Sequence, residues 1–297
     1  MCGNRVTHGS TTTVCAQSAM RKTAFALAVA SMLLVTTLAM TACGDSKSNR
    51  ISISYVPPKD PELRHVYMDL KERRVLEKYQ KFLSPFRLPR TLKITLAGCD
   101  GESDAFYGDD EITICYEYVE ALWTNAPAET TPAGIAPIDT VAGPFFDTCL
   151  HEFAHALFDM HNLPVFGREE DAADQVEAYA LLQFGESEAR RLIAGTAYAY
   201  HMDEKKIDPC RSMEDYAKEH GTPAQRFFNV LCIAYGADTK LFGDIVSKGY
   251  LPKSRAEYCE EEYEQVQDAV DLLIIPHIDL DFADKIMGNP WLQEPEQ

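Results

Sequence analysis

His151-Glu152-Phe153-Ala154-His155 sets two imidazoles four residues apart, with a carboxylate beside the first. On a helix, positions i and i+4 share a face, about 40° apart around the axis, so both rings can reach one cation. Zn²⁺ accepts imidazole nitrogen readily, and a carboxylate next to such a centre can take a proton from water. The chemistry open to this pattern is zinc-assisted hydrolysis, with His151 and His155 as ligands and Glu152 as general base. The neighbours suit it: Thr148, Cys149, Leu150, Phe153, Ala154, Ala156 and Leu157 are uncharged, which predicts a buried helix and a water-poor site. Zinc needs a third protein ligand. Arg168-Glu169-Glu170-Asp171-Ala172-Ala173-Asp174 follows a short turn segment, 162–167, and opens a second helix with acids in its first turn, where the dipole favours them. The short connection makes the two helices neighbours, so one of these acids can face the metal.

Periodicity gives the elements that must position these residues. Ile51–Val56 alternates as a strand and stops at Pro57-Pro58. From Pro61, Leu63, Val66, Leu70, Val75, Leu76 and Tyr79 recur at helical spacing up to about Leu83. Residues 92–96 and 111–115 alternate again, and with the Gly- and Asp-rich connection between them they read as an antiparallel hairpin with a long loop. A helix follows from Tyr116 to Trp123, and 125–138, rich in Ala, Pro and Thr, reads as a loop. Helices are then expected near 144–161, 169–184, 186–203, 213–219, 223–235, 239–247 and 254–273, punctuated by Pro164, Gly185, Pro209, Gly221, Gly236 and Pro252. The fold class is α+β: a small N-terminal antiparallel or mixed sheet, then the His151 helix and a C-terminal helical bundle.

The chain has 297 residues and a formal net charge of -18. Residues 1–42 hold Arg5, Arg21 and Lys22 and no acid, so the remainder is more acidic still. That excludes a general nucleic-acid binder, whose affinity comes from neutralising phosphates. Met20-Arg21-Lys22 precedes an uncharged, mostly apolar run from Thr23 to Ala42, which predicts a secretory signal with Met20 as the true start. Met40-Thr41-Ala42-Cys43 resembles a bacterial lipobox, which makes Cys43 the lipidated first residue of the mature chain. The organisation expected is a signal region over 1–42, a tether over 43–50 and one domain over 51–297. An exported chain can form disulfides. Six cysteines follow Cys43: Cys99, Cys115, Cys149, Cys210, Cys232 and Cys259. Cys99 and Cys115 flank the predicted hairpin loop, so their strands can bring them together.

His151-Glu152-x-x-His155 followed by Glu170-x-x-x-Asp174 resembles the gluzincin metallopeptidases, the class of thermolysin. The resemblance implies a zincin-like fold, Zn²⁺, Glu170 as third ligand, and Asp174 as the residue that holds a zinc histidine. The ImmA/IrrE-type peptidases share a closely similar arrangement, with Asn where Asp174 stands. Asp104-Ala105-Phe106 is similar to the Asn-Ala-Phe edge segment on which thermolysin-type enzymes lay their substrate, with Asp104 in place of Asn. A longer match, over about residues 50–275, is to a bacterial family of secreted metallopeptidase-like proteins of otherwise unknown function. It rests on Cys99 and Cys115 flanking Ala105-Phe106-Tyr107, on 167–174, on Gln225-Arg226-Phe227 with Cys232, and on Leu251-Pro252 before Cys259. It implies the pair Cys232–Cys259 and favours Cys99–Cys115.

Glu170 and Asp174 share a helix face, whereas neighbouring residues differ by about 100°, so Glu169 and Asp171 are expected to fall toward solvent or the helix dipole. In gluzincins a His or Arg of the downstream bundle often stands near the substrate carbonyl, which makes His220 and Arg226 candidate transition-state stabilisers; Tyr107 or Tyr116 can donate to the same oxygen. His161, six residues past His155, lies off the metal face. The function expected is an extracytoplasmic zinc peptidase acting on peptides or proteins and held to the membrane through Cys43. The other possibility is an envelope lipoprotein that binds zinc without peptidase activity.

Overall fold

The computed structural model describes residues 50–207 and 212–287. Cys43, Cys210, the signal region and most of the tether lie outside the described residues. β1 (Ile51–Tyr55) leads through α1 (Arg64–Glu72) and α2 (Val75–Leu83) to β2 (Leu92–Ala97), its parallel neighbour. A helical crossover is what a parallel pair requires. The helical stretch from Pro61 is broken at Arg73–Arg74, where Arg74 adopts a left-handed backbone, φ 54°.

The expected antiparallel pairing of 92–96 with 111–115 is not what forms. β2 and β4 (Glu111–Cys115) are neighbours but parallel, because the connection contains a strand of its own, β3 (Ala105–Gly108). β3 turns back into β4 through Asp109 and Asp110, both at positive φ (52° and 60°), as a tight two-residue hairpin demands. The sheet order is β1-β2-β4-β3, which leaves β3 on the edge. The disulfide Cys99–Cys115 closes the segment before β3 onto the end of β4. Between them, Glu117 accepts the backbone amides of Cys99 (2.9 and 3.0 Å) and Gly101 (3.1 Å).

Helices follow: α3 (Tyr116–Asn125), α4 (Asp139–His161), α5 (Glu169–Leu181), α6 (Glu186–Lys206), α7 (Pro223–Ala237), α8 (Gly243–Ser247), α9 (Lys253–Ala256), α10 (Cys259–Leu273) and α11 (Leu280–Met287). The mixed α+β class is therefore observed, with a four-stranded N-terminal sheet and a helical C-terminal part. α4 begins five residues before the expected start and contains Pro144. Its first turns are secured by packing: Gly143 faces Gly195 of α6 so closely that a Cβ on Gly195 would sit 1.9 Å from the Asp139 carbonyl oxygen. α4 is the central element, touching α3, α5, α6, β3 and β4, with Leu150, Phe153, Ala156 and Leu157 in the main core. The predicted 254–273 helix is divided into α9 and α10, and Cys259 at the start of α10 is bonded to Cys232 of α7. α7 starts on a capping box, Thr222 with Gln225, and Pro223 in its first turn. Cys149 is a free, buried thiol. Among the described residues, no helix is long and apolar enough to cross a membrane.

Candidate metal centre

α4 carries Asp147, His151, His155 and Asp159 at four-residue spacing, one stripe down one face. The helix stops at Asn162, whose left-handed φ of 51° ends the turn, and Gly167 at φ 91° bends the chain back into α5. The first turn of α5 thereby meets the stripe. His151 Nε2 lies 2.9 Å from Glu170 Oε2, His155 Nε2 lies 3.3 Å from the same oxygen, and the two Nε2 atoms are 3.1 Å apart.

Those three separations suit one cation. Donors about 2.0–2.1 Å from a tetrahedral centre stand about 3.3–3.4 Å from one another. The outer ring edges explain why the inner ones face inward. His155 Nδ1 is 2.8 Å from Glu169 Oε1. His151 Nδ1 is 2.9 Å from Asp174 Oδ1, although the approach is too bent for a good hydrogen bond. Carboxylates beside both Nδ1 edges favour a proton there, which with a cation bound would leave both Nε2 lone pairs facing it; without one, His151 Nε2 carries a proton itself and donates to Glu170. Three acceptors converging on one point repel unless positive charge lies among them. Burial disfavours the His151 imidazolium, yet Asp174 and Glu170 outweigh it and push the ring up to about 9. The hydrogen bond from His151, with the imidazoles of His220 and His155 nearby, holds Glu170 down at about 2. The residues present fit a divalent cation.

Glu152 is buried beside the triad. Burial raises its pKa; His151, His155 and the Tyr107 backbone amide oppose the shift. A cleft of about 770 Å³ opens over it, between the β3 edge (Asp104 to Tyr107) and the segment that ends in His220. His220 Nδ1 comes within 3.3 Å of Glu170 Oε2. Two of the other candidate stabilisers have partners elsewhere. Arg226 forks onto Asp174 (2.9 and 2.6 Å) and stacks on the Tyr200 ring at 4.6 Å, and Tyr107 donates its hydroxyl to Asp159 at 2.7 Å. Phe106 is exposed on β3 and Ala105 is buried there, while Asp104 accepts the Ala105 amide at 2.9 Å. His161 stacks on His277, away from the triad.

Glu169 is exposed, as expected, but its long side chain also reaches back to the outer edge of His155. Asp171 behaves as expected and pairs with Arg168 at 2.7 Å. A second layer was missed altogether. Asp147 and Glu177 are buried together behind His151, and Tyr200 donates to Asp147 at 2.8 Å. Burial, and then the Asp147 charge, drive Glu177 well above the ordinary carboxylate range. Asp147 stands one turn before His151 on the α4 stripe, and Glu177 stands seven residues after Glu170. Counting by helical turns outward from the motif would have found both.

This is a candidate metal centre on a mixed α+β scaffold, with the buried carboxylate of Glu152 beside it. Residues 55–274 match the family described as "Putative metallopeptidase", and the chain belongs to that family. Membership implies a metal ion, and the His/Glu/Asp cluster is present to hold one. No curated protein and no solved structure matches the chain.

Proposed function

We propose that the protein is an extracytoplasmic zinc-dependent peptidase of gluzincin type, held to the bacterial envelope by a lipid on Cys43. The observation that carries this is the convergence of His151, His155 and Glu170 within 2.9–3.3 Å of one another beside buried Glu152. Two nitrogens and one carboxylate oxygen are a donor set suited to catalytic zinc, which when bound would supply a Lewis acid and a lowered pKa for water. Glu152 takes the proton of the attacking water as the new C–O bond forms. It then delivers that proton to the amine nitrogen as the C–N bond breaks. Asp174 and Glu169 keep the two imidazoles in the tautomer that faces the metal. His220, whose Nδ1 faces Glu170 and whose ring lines the cleft, is the candidate to donate through its other nitrogen to the developing oxyanion. Incubating the zinc-loaded protein with an unbiased peptide library tests this. Cleavage that disappears in Glu152→Gln with zinc retained supports it. No cleavage at full zinc occupancy would leave the other possibility, an envelope protein that binds zinc without hydrolysing peptides.

A further inference from the structure

β3 is bonded to β4 on one side only, and its other edge stands open to the cleft. In an antiparallel ladder, pairs that exchange backbone hydrogen bonds alternate with pairs that do not. Counting from the tight turn at Asp109–Asp110, Gly108 and Phe106 spend their backbone groups on β4, while Tyr107 and Ala105 point theirs outward. The next rung agrees, because the Cys115 amide donates to the Asp104 carbonyl at 3.0 Å.

Tyr107 is then fastened to α4 through its phenol, which donates to Asp159 Oδ2, one turn past His155 on the same helix face. Arg90 closes the group. It donates to Asp159 at 2.6 Å and, through Nε, to Asp110 at 2.9 Å. Asp110 is the second residue of the hairpin turn, at a positive φ that residues other than glycine seldom adopt. Three separate pieces of chain therefore meet: the segment before β2, the β3–β4 turn and α4 one turn past His155.

We propose that Arg90, Asp110, Asp159 and the Tyr107 hydroxyl form a clamp that sets the open edge of β3 against the metal helix and so fixes the register in which an extended peptide meets the centre. Arg90 and Asp159 are positioning residues, acting on substrate through Tyr107 and β3. The proposal rests on the peptidase function proposed above. Exposed ion pairs add little to global stability, so the clamp should be visible in substrate handling and local opening instead of in melting.

The test compares Asp159→Asn, Arg90→Ala and the conservative Arg90→Lys with the unaltered protein, all zinc-loaded. For Asp159→Asn and Arg90→Ala, KM for extended peptides is expected to rise on the order of tenfold while kcat stays within about twofold. Zinc content and melting temperature should hold, amide exchange across Ala105–Glu111 should quicken, and Arg90→Lys should recover part of both effects. Unchanged KM with unchanged exchange overturns the clamp, as does a loss confined to zinc content or melting temperature. If the unaltered protein cleaves no peptide, the peptidase function fails by itself, and the exchange comparison alone decides whether the clamp holds β3.

Discussion

Asp174 and Glu169 hold the outer edges of the two histidines from opposite environments, and that contrast sets the size of two substitutions. Asp174 is about nine-tenths buried and accepts the fork of Arg226, which is about four-fifths buried at the edge of the cleft. Asp174→Ala strands that guanidinium, at a cost on the order of 3–5 kcal/mol. In a domain of about 150–250 residues each kcal/mol moves Tm by about 2–4 °C, so the fall should be roughly 6–20 °C. Metal affinity should drop about 10–100-fold, because His151 loses the group that orients it. Glu169 is more than half exposed, so Glu169→Ala should cost about 0–1 kcal/mol and weaken metal binding by less than about tenfold. A double variant separates the two consequences. Asp174→Ala with Arg226→Met removes both buried charges, which should restore most of the stability but not the affinity. Thermal unfolding of the metal-free proteins, with zinc competition against a chromophoric chelator, reads both quantities. If Asp174→Ala and Glu169→Ala lose metal equally, or if Asp174→Ala melts unchanged, the second layer does not work as described.

Gly195→Ala should destabilise the fold by about 1–3 kcal/mol in chemical denaturation, because its Cβ would collide with the Asp139 carbonyl where α6 crosses α4; an unchanged midpoint would mean the helices do not approach so closely. Replacing Cys99 and Cys115 by Ser opens a loop of sequence separation 16 and should cost about 3 kcal/mol, with Cys232–Cys259 intact in non-reducing peptide maps. Intact-mass analysis of membrane-extracted protein should find Cys43 as a lipidated first residue, and a chain still carrying Thr23–Ala42 would refute the lipid anchor.

The ligand helix is legible in the sequence because its information is local: spacing of four on an apolar helix places His151 and His155 together whatever surrounds them. The short turn that brings α5 back onto α4 is legible too, but it offers several acids, and the choice of Glu170 among them comes from the resemblance to the gluzincins. Glu169 shows where a helical wheel stops being informative. The wheel places its Cβ off the metal face, but three further bonds and the outward edge of His155 decide where its carboxylate goes. β3 is obscured by its chemistry. A four-residue edge strand with a turn made of two aspartates lacks the Asn-Gly or Asp-Gly signature of a tight hairpin, and the parallel sense of β2 and β4 follows only once β3 is seen. The division of α9 from α10 at 257–258 has no proline or glycine to announce it. The layer of Asp147, Glu177, Tyr200 and Arg226 draws on four helices, so no single stretch of sequence contains it.

The central claim is that Glu152 moves the proton at a centre held by His151, His155 and Glu170. The most direct measurement is the rate of peptide cleavage by Glu152→Gln relative to the unaltered protein, at equal, measured zinc occupancy. Gln keeps the size and hydrogen-bonding reach of Glu152 but cannot accept the proton. The rate is expected to fall by at least ~10²-fold, the scale of general acid–base assistance, with zinc still near one per chain. Undiminished cleavage at full occupancy would contradict the account, because the proton would then leave by a route that does not use Glu152.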